Sequence, residues 1–147
     1  MKSVFILLLT LTIGSIPAWA TLGQNVSSVD TDSQALRGKH SVVTKVGYNM
    51  HQITLSDNSV VNEFVSPDGM VFGVSWQGHF IPNLNQLLGI YMADLQQGQR
   101  TQVVRRRAVT IRGDDFVFSN VGHLRSFRGR AYVPSLVPAN LSPEVVQ

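Results

Sequence analysis

The chain has 147 residues, carries a net charge of +3 and contains no cysteine. This length is typical of a single domain, and the lack of cysteine excludes disulfides and thiolate-bound metals. A chain of this size can bury enough surface to be stabilised by one hydrophobic core, so we expect one domain.

The first twenty residues have the three-part pattern of a secretory signal peptide. Lys2 precedes an apolar run over residues 3–16, Pro17 ends the run, and Ala18 and Ala20 occupy the two positions that a signal peptidase reads. We predict cleavage after Ala20, with a retained membrane anchor as the alternative. The run is shorter than the roughly 18 residues of a membrane span. No later run is long enough to span a membrane, so we expect a mature chain without a membrane span, in the periplasm or secreted.

Residues 21–40 are expected to form a loosely ordered N-terminal arm. Within this arm, residues 30–36 predict one or two helical turns, with Asp30 or Asp32 as the helix cap. A single α+β domain is then predicted over residues 41–134.

Three strands are predicted to begin this domain as an antiparallel meander, because runs of β-branched and aromatic residues alternate with turn-forming residues. The strands cover residues 48–55, 60–66 and 70–77. In the third strand one side is bulky, and we expect this side to face the core. Its members are Met70, Phe72, Val74 and Trp76.

One main helix is predicted over residues 83–97. Asn83 is a suitable N-cap, and the apolar residues that follow recur at helical spacing, so one face of the helix would pack on the sheet. These residues are Leu84, Leu87, Leu88, Tyr91 and Leu95. Gly98 is expected to end the helix, and Gly89 to let it approach a strand closely.

A second three-strand meander is predicted over residues 103–112, 116–120 and 123–133. Three prolines then predict an extended tail over residues 135–147. The predicted fold is therefore α+β, with an antiparallel sheet of about six strands packed on one main helix. A partly closed β-barrel around the same helix is the alternative.

Arginine is concentrated in the second meander: residues 100–130 contain eight arginines, two aspartates and no lysine. Strand alternation places several of these arginines on one polar face, which predicts a basic patch able to grip a carboxylate or phosphate. The members of the patch are Arg106, Arg112, Arg128 and Arg130. The alternative is a solvated surface that discourages edge aggregation.

Arg125 is expected on the apolar side of the last strand, beside Phe127. An arginine in that position needs a buried carboxylate or a run of carbonyl groups as its partner. The candidate partners are Asp114, Asp115 and Glu63. We therefore expect a structural role for Arg125 first and ligand contact second.

No complete catalytic motif is found in the sequence. The stretch 73–78 resembles a Gly-x-Ser-x-Gly elbow but is one residue too long and lies within a predicted strand. The four histidines show no metal-ligand spacing, so we predict neither a metal nor a cofactor. An enzyme of unrecognised type, with a site formed by His123, Arg125 and Glu63, is kept as an alternative.

Four stretches, at residues 20–23, 63–78, 82–91 and 122–134, resemble a family of exported bacterial proteins known as domain of unknown function 2844. The resemblance covers most of the mature chain. It implies a Gram-negative protein exported to the cell envelope, and it implies no activity, ligand or catalytic residue.

Three functions remain open from the sequence. The first is a non-catalytic binding or accessory module of the cell envelope, whose arginine patch meets an acidic protein surface or an anionic polymer. The second is the periplasmic enzyme with the His123 and Arg125 site. The third is a structural subunit that pairs through a sheet edge.

Nucleic acid is not expected as a partner, because the patch lacks exposed aromatic residues and the compartment is wrong. The oligomeric state is left open.

Overall fold

The computed structural model describes residues 22–101 and 108–147. The predictions on the signal peptide, on cleavage after Ala20 and on Arg106 lie outside these residues. The described chain is α+β, with seven antiparallel strands and three α-helices. The strands are β1 (Lys39–Lys45), β2 (Tyr48–Thr54), β3 (Val60–Val65), β4 (Val71–Gly78), β5 (Ala108–Arg112), β6 (Val117–His123) and β7 (Ser126–Tyr132). The helices are α1 (Ser28–Ala35), α2 (Leu84–Leu88) and α3 (Met92–Thr101).

The strands form one sheet in the spatial order β1-β2-β3-β4-β7-β6-β5. Two meanders, β1 to β4 and β5 to β7, join where β4 pairs with β7, and α2 and α3 lie in the connection between the meanders. In the described part of the chain β1 and β5 do not pair with each other, so the sheet is open and is not the alternative barrel. None of the helices in the described ranges is long and apolar enough to cross a membrane.

The helices cover one face of the sheet, here called the helix face. The main core lies between the helices and the sheet. From the helices this core includes Val29, Leu87 and Leu95, and from the strands Ile53, Val61, Val74, Trp76, Ile111 and Phe118. The opposite face, here called the free face, carries a smaller core. Its buried members are Phe64, Phe72, Tyr132 and Val146.

The segment expected to be a loosely ordered arm contains α1 and the start of β1. Leu22 is fully buried, so residues 22–40 are part of the domain. Asp30 and Asp32 lie inside α1 rather than at its N-cap, which is Ser27. β1 was not predicted because it is an edge strand with mostly exposed side chains, and no buried face imposes an alternating pattern on it.

A β-bulge changes which side chains of β4 face the helices. The register between β3 and β4 shifts by one residue, and Phe72 is left without a partner on β3. Phe72 packs on the free face, whereas Val74 and Trp76 pack on the helix face. The prediction that these three residues share one side is therefore wrong, because the extra residue reverses the alternation.

The predicted main helix is interrupted within its length. Gly89 has a φ of 49°, and the 3-10 turn Gly89–Tyr91 separates α2 from α3. Gly98, which was expected to end the helix, is buried inside α3. A Cβ atom at Gly98 would lie 2.1 Å from Cγ2 of Ile111 in β5. The close approach of helix and strand therefore occurs at Gly98.

A two-residue turn at Leu124 and Arg125 joins β6 to β7. Both residues have positive φ angles, of 39° and 66°. The sequence predicts a strand at this position. The turn is missed because leucine and arginine rarely adopt positive φ angles, so neither residue signals a turn. Arg125 is exposed in the turn rather than buried beside Phe127, so the expected carboxylate partner is not needed.

The tail that follows β7 folds back over the free face. Two 3-10 turns, Pro134–Leu136 and Pro143–Val145, shape it, and Val146 is fully buried. A Cβ atom at Gly73 would lie 2.5 Å from a Val146 methyl group, so the tail rests directly on β4. The tail therefore covers the smaller core and is not extended throughout.

Candidate functional site

A row of polar side chains crosses the free face of the sheet. Paired residues of antiparallel strands lie on the same face, and the register aligns one polar residue from each of the seven strands. In spatial order from β1 to β5, this polar row consists of Ser41, Gln52, Asn62, Ser75, Arg130, Ser119 and Thr110. With neighbouring strands about 4.8 Å apart, the row is about 29 Å long.

Hydrogen bonds connect the polar side chains of β2, β3 and β4 within the row. Gln52 Nε2 donates to Asn62 Oδ1 at 3.2 Å, and Asn62 Nδ2 donates to Ser75 Oγ at 3.4 Å. These bonds orient the two carboxamide groups across the sheet. Each carboxamide keeps further donor and acceptor capacity for a ligand.

The tail occupies the middle of the row through its backbone. Ser75 Oγ donates to the main-chain oxygen of Gln147 at 3.0 Å, and Arg130 Nη1 donates to the peptide carbonyl oxygen of Val146 at 3.1 Å. Two adjacent members of the polar row therefore bind main-chain oxygen atoms of the tail.

A groove of about 650 Å³ opens beside the tail on the free face. This volume lies within the usual range for ligand sites, about 300–1,000 Å³. Its lining includes Gln52, Asn62 and Ser75 of the polar row, together with Gln77, Arg125 and Arg128. Asp57 at the rim carries a carboxylate that accepts from the backbone and hydroxyl of Ser59 at 2.9 and 2.8 Å. The backbone hydrogen bond from Ser59 is the main cause that lowers the pKa of Asp57.

The strand register places Arg112, Arg128 and Arg130 on the free face. Arg128 and Arg130 are two residues apart on β7, whereas Arg112 lies on β5 with β6 in between, so Arg112 is not their direct neighbour. Arg128 Nη2 donates to Gln77 Oε1 at 3.0 Å. Among residues 22–101 and 108–147, neither Arg128 nor Arg130 forms an ion pair with a carboxylate. Arg128 and Arg125 line the groove, and Arg130 lies beside it, where it is bound to the tail.

The residues of the enzyme alternative are not assembled. His123 is exposed at the end of β6, and Arg125 lies in the following turn. Glu63 is buried on the helix face of β3, opposite Val74 of β4. Three strand intervals, about 14 Å, separate β3 from β6. Glu63 and His123 therefore cannot act on one bound molecule in this arrangement.

A pair of carboxyl groups is buried beneath α1. Asp32 of α1 is 0% exposed and Glu63 of β3 is 1% exposed, while Gln86 Nε2 of α2 donates to Asp32 Oδ1 at 2.5 Å. Burial and the neighbouring Asp32 raise the pKa of Glu63 to about 9, and burial raises the pKa of Asp32 to about 6. Among the described residues, Asp32 Oδ2 and both Glu63 oxygens have no hydrogen-bond partner. Glu63 is therefore protonated at neutral pH, and its hydroxyl is the donor available to Asp32.

Two histidines extend this cluster toward the surface. His51 of β2 is opposite Glu63 in the register, and its Nδ1 lies 3.0 Å from Nε2 of His40 in β1. Nδ1 of His40 in turn lies 3.4 Å from the Asp30 carboxylate. Burial, and then the neighbouring His40, lower the pKa of His51. The short N···N distance requires one ring to donate and the other to accept, so the pair is not doubly protonated.

The buried cluster can hold protons, but it lies outside the groove and outside two smaller cavities of the described chain, since neither Asp32 nor Glu63 lines any of the three. In the part of the chain that the structure describes, no group of three or more His, Asp and Glu residues is arranged to hold a metal ion. The groove on the free face is therefore the candidate functional site, and the acid pair joins α1, β3 and α2 inside the fold.

Sequence reasoning missed the amide and hydroxyl members of the groove. The sequence does show a polar residue in the middle of each of three strands: Gln52, Asn62 and Ser75. Aligning these residues requires the register of every strand, including the bulge at Phe72, which the sequence alone does not supply.

The fold and groove define the class of protein: an α+β domain with an open antiparallel sheet, helices on one face and a polar groove on the other. A family model described as Protein of unknown function (DUF2844) matches residues 18–146, nearly the whole chain. The chain therefore belongs to this family, as the four stretches in its sequence indicated. Neither a curated protein nor a solved structure matches the chain.

Proposed function

We propose that this protein is a non-catalytic binding module of the bacterial cell envelope, which holds an anionic ligand in the groove on its free face. The observation that carries the proposal is the placement of Arg128 and Arg130 on one face of β7 without carboxylate partners in the described chain. A guanidinium group binds carboxylate or phosphate through two parallel hydrogen bonds, so these side chains are suited to an anion.

Location outside the cytoplasm is part of the proposal and rests on the signal-peptide pattern of residues 1–20. The test is to express the full chain in a Gram-negative host and to measure the mass of the exported product. A product that begins at Thr21 would support the proposal, whereas an uncleaved cytoplasmic chain would contradict it.

Pairing through a sheet edge is less well supported. β1 is an open edge, but two copies paired antiparallel about Val42 would place Lys39 of each opposite Lys45 of the other. Like charges directly opposite each other destabilise such a pair, and edge lysines are a common protection against it.

The binding proposal is tested by calorimetric titration of the exported chain with poly-L-glutamate, polygalacturonate and uncharged dextran at low salt. We expect a polyanion to bind and dextran not to bind. Arg128→Glu with Arg130→Glu is expected to weaken binding by about tenfold or more, because both guanidinium contacts become repulsive.

The matched control is Arg37→Glu with Arg100→Glu, which changes the net charge equally at two exposed positions away from the groove. We expect this control to weaken binding by less than about threefold. Equal losses in both variants would show attraction to net charge alone and overturn the proposal. Failure of both polyanions to bind would overturn it as well.

A further inference from the structure

We propose that the groove binds an extended acidic polypeptide segment, whose main-chain amides contact the polar row and whose carboxylates pair with Arg128. This inference rests on the proposed function, because it assigns a ligand class to the same groove.

The tail provides an example of a polypeptide main chain bound to the polar row. Arg130 donates to the peptide carbonyl oxygen of Val146, and Ser75 donates to the main-chain oxygen of the next residue, Gln147. Both donors come from strands in the middle of the sheet, and the row continues from Ser75 through Asn62 to β2 along the floor of the groove. The same kind of contact is therefore available to a second extended segment beside the tail.

The side chains along the groove floor match the chemistry of a peptide group. Asn62 and Gln52 are carboxamides, and each offers both N–H donors and a carbonyl acceptor. An extended backbone presents N–H and C=O groups that need both kinds of partner. A polymer that carries only carboxylates and hydroxyl groups would use the donors and leave this amide-to-amide match unused.

The described lining of the groove offers no exposed Phe, Tyr or Trp side chain for stacking a sugar ring or a base. Trp76 is 2% exposed, and the exposed imidazole of His79 is held at the rim by a hydrogen bond between Nδ1 and the carbonyl oxygen of Arg125 at 3.0 Å. The Trp76 indole donates to Asn120 Oδ1 at 3.0 Å and packs on Phe118 in the helix-face core. The indole is therefore already engaged, which favours a polypeptide over a glycan or single-stranded nucleic acid.

The charge at the groove favours acidic side chains on that polypeptide. Arg128 is exposed, and its guanidinium group donates to the uncharged Gln77, so no described carboxylate neutralises its charge. Arg125 lines the same groove from the turn. Asp57 is the carboxylate side chain of the lining, and its hydrogen bonds to Ser59 hold it at the rim.

The test is an NMR titration of the isotope-labelled exported chain with a short peptide of alternating glutamate and threonine. We expect the backbone amide signals of Gln52, Asn62 and Ser75 to shift on binding. Ser119 and Thr110 belong to the polar row but lie beyond the tail and outside the groove lining, so their signals should not move. Shifts confined to β5 and β6 would overturn the assignment of the site.

Two variants test the amide contacts. Gln52→Leu with Asn62→Leu removes both carboxamides at similar volume, and we expect affinity for the peptide to fall by about tenfold. The matched control, Ser119→Ala with Thr110→Val, alters the other half of the row and should leave affinity within about twofold. Unchanged peptide affinity in the carboxamide variant, with its fold verified by circular dichroism, would overturn the inference.

Polygalacturonate distinguishes this inference from the proposed function. Binding of polygalacturonate that depends on Arg128 and Arg130, without binding of the peptide, would overturn the polypeptide assignment and leave the anion-binding function standing. Failure of both ligands to bind would overturn both. A peptide methylated at its backbone nitrogens should bind about tenfold more weakly, because its N–H donors are lost.

Discussion

The carboxyl groups of Asp32 in α1 and Glu63 in β3 face each other inside the fold, and both are closed off from water. Among the described residues, Asp32 Oδ2 and both Glu63 oxygens have no hydrogen-bond partner. Two buried carboxylates in contact cannot both be charged without a large penalty, because each would be desolvated beside a like charge. Docking of α1 on the sheet therefore depends on the proton that Glu63 retains.

This pair predicts that the free energy of unfolding falls as pH rises. The pKa of Glu63 is raised from 4.5 to about 9 in the folded chain, so between these values the folded state binds a proton that the unfolded state has lost. The resulting stability is fully present below pH 4.5 and disappears as pH rises through about 9. Between about pH 7.5 and 8.5, above the pKa of about 6 of Asp32, the loss should be about 1 kcal/mol.

Glu63→Gln removes this dependence while keeping a donor for Asp32. Urea unfolding of the variant at about pH 7.5 and 8.5 should therefore show less than half of the wild-type loss. Glu144→Gln, at an exposed position in the tail, should behave like the wild type. An equal loss in Glu63→Gln and in the wild type would contradict the assignment of the proton to Glu63.

The contact between His51 and His40 predicts the opposite dependence at acid pH. Burial, followed by the neighbouring His40, lowers the pKa of His51 below 6.5 in the folded chain, so the unfolded state takes up a proton first. The contribution of His51 is present above pH 6.5 and is lost as pH falls through its folded pKa. His51→Gln should therefore be destabilised at neutral pH, with a deficit that shrinks toward pH 5.

The measurement is urea unfolding of both chains at about pH 7 and 5. Comparing variant with wild type at each pH cancels the titration of the carboxyl pair, which both chains share. His123→Gln provides the control, because His123 is exposed at the end of β6. A deficit for His51→Gln that stays constant with pH would show that the histidine pair does not resist protonation.

Alternating side chains were enough to predict an antiparallel α+β fold with β2, β3 and most of β4, because these strands have a buried face. The same reasoning failed for β1, whose side chains are mostly exposed and carry no pattern. It also reversed the two sides of β4 at Phe72, because a bulge adds a residue without a sequence signature.

The candidate site was harder to predict than the fold. The arginines on β7 were visible from alternation alone, since Arg128 and Arg130 are two residues apart on one strand. The groove depends on contacts far apart in sequence, such as Ser75 with Gln147. The acid pair likewise joins Asp32 to Glu63 across two intervening strands of the chain, and no local pattern encodes that contact.

The turn between β6 and β7 carries backbone strain that substitution should relieve. Leu124 and Arg125 both have positive φ angles, at which a side chain with Cβ is unfavourable. Leu124→Asn with Arg125→Gly supplies the residues that such two-residue turns prefer, and we expect the free energy of unfolding to rise by about 1–2 kcal/mol.

Denaturant unfolding measures this gain against Leu124→Ala with Arg125→Ala, which shortens both side chains but keeps Cβ at both positions. We expect the alanine variant to gain less than about 0.5 kcal/mol. Equal stabilisation in the two variants would attribute the effect to removal of the exposed Leu124 side chain, which is 86% exposed, and not to the backbone.

Gly98→Ala sets helix propensity against packing at the contact between α3 and β5. Alanine favours a helix over glycine by about 1 kcal/mol, so propensity alone predicts stabilisation. A Cβ atom at this position would lie 2.1 Å from Ile111 Cγ2, and Ile111 is buried in the main core, so helix and strand must move apart. Because overpacking typically costs about 1–3 kcal/mol, we expect the steric term to exceed the propensity gain and the variant to be destabilised in urea.

Gln97→Ala, at the exposed neighbouring position, should change stability by less than about 0.5 kcal/mol. Stabilisation by Gly98→Ala would mean that α3 is free to lift from the sheet at this contact.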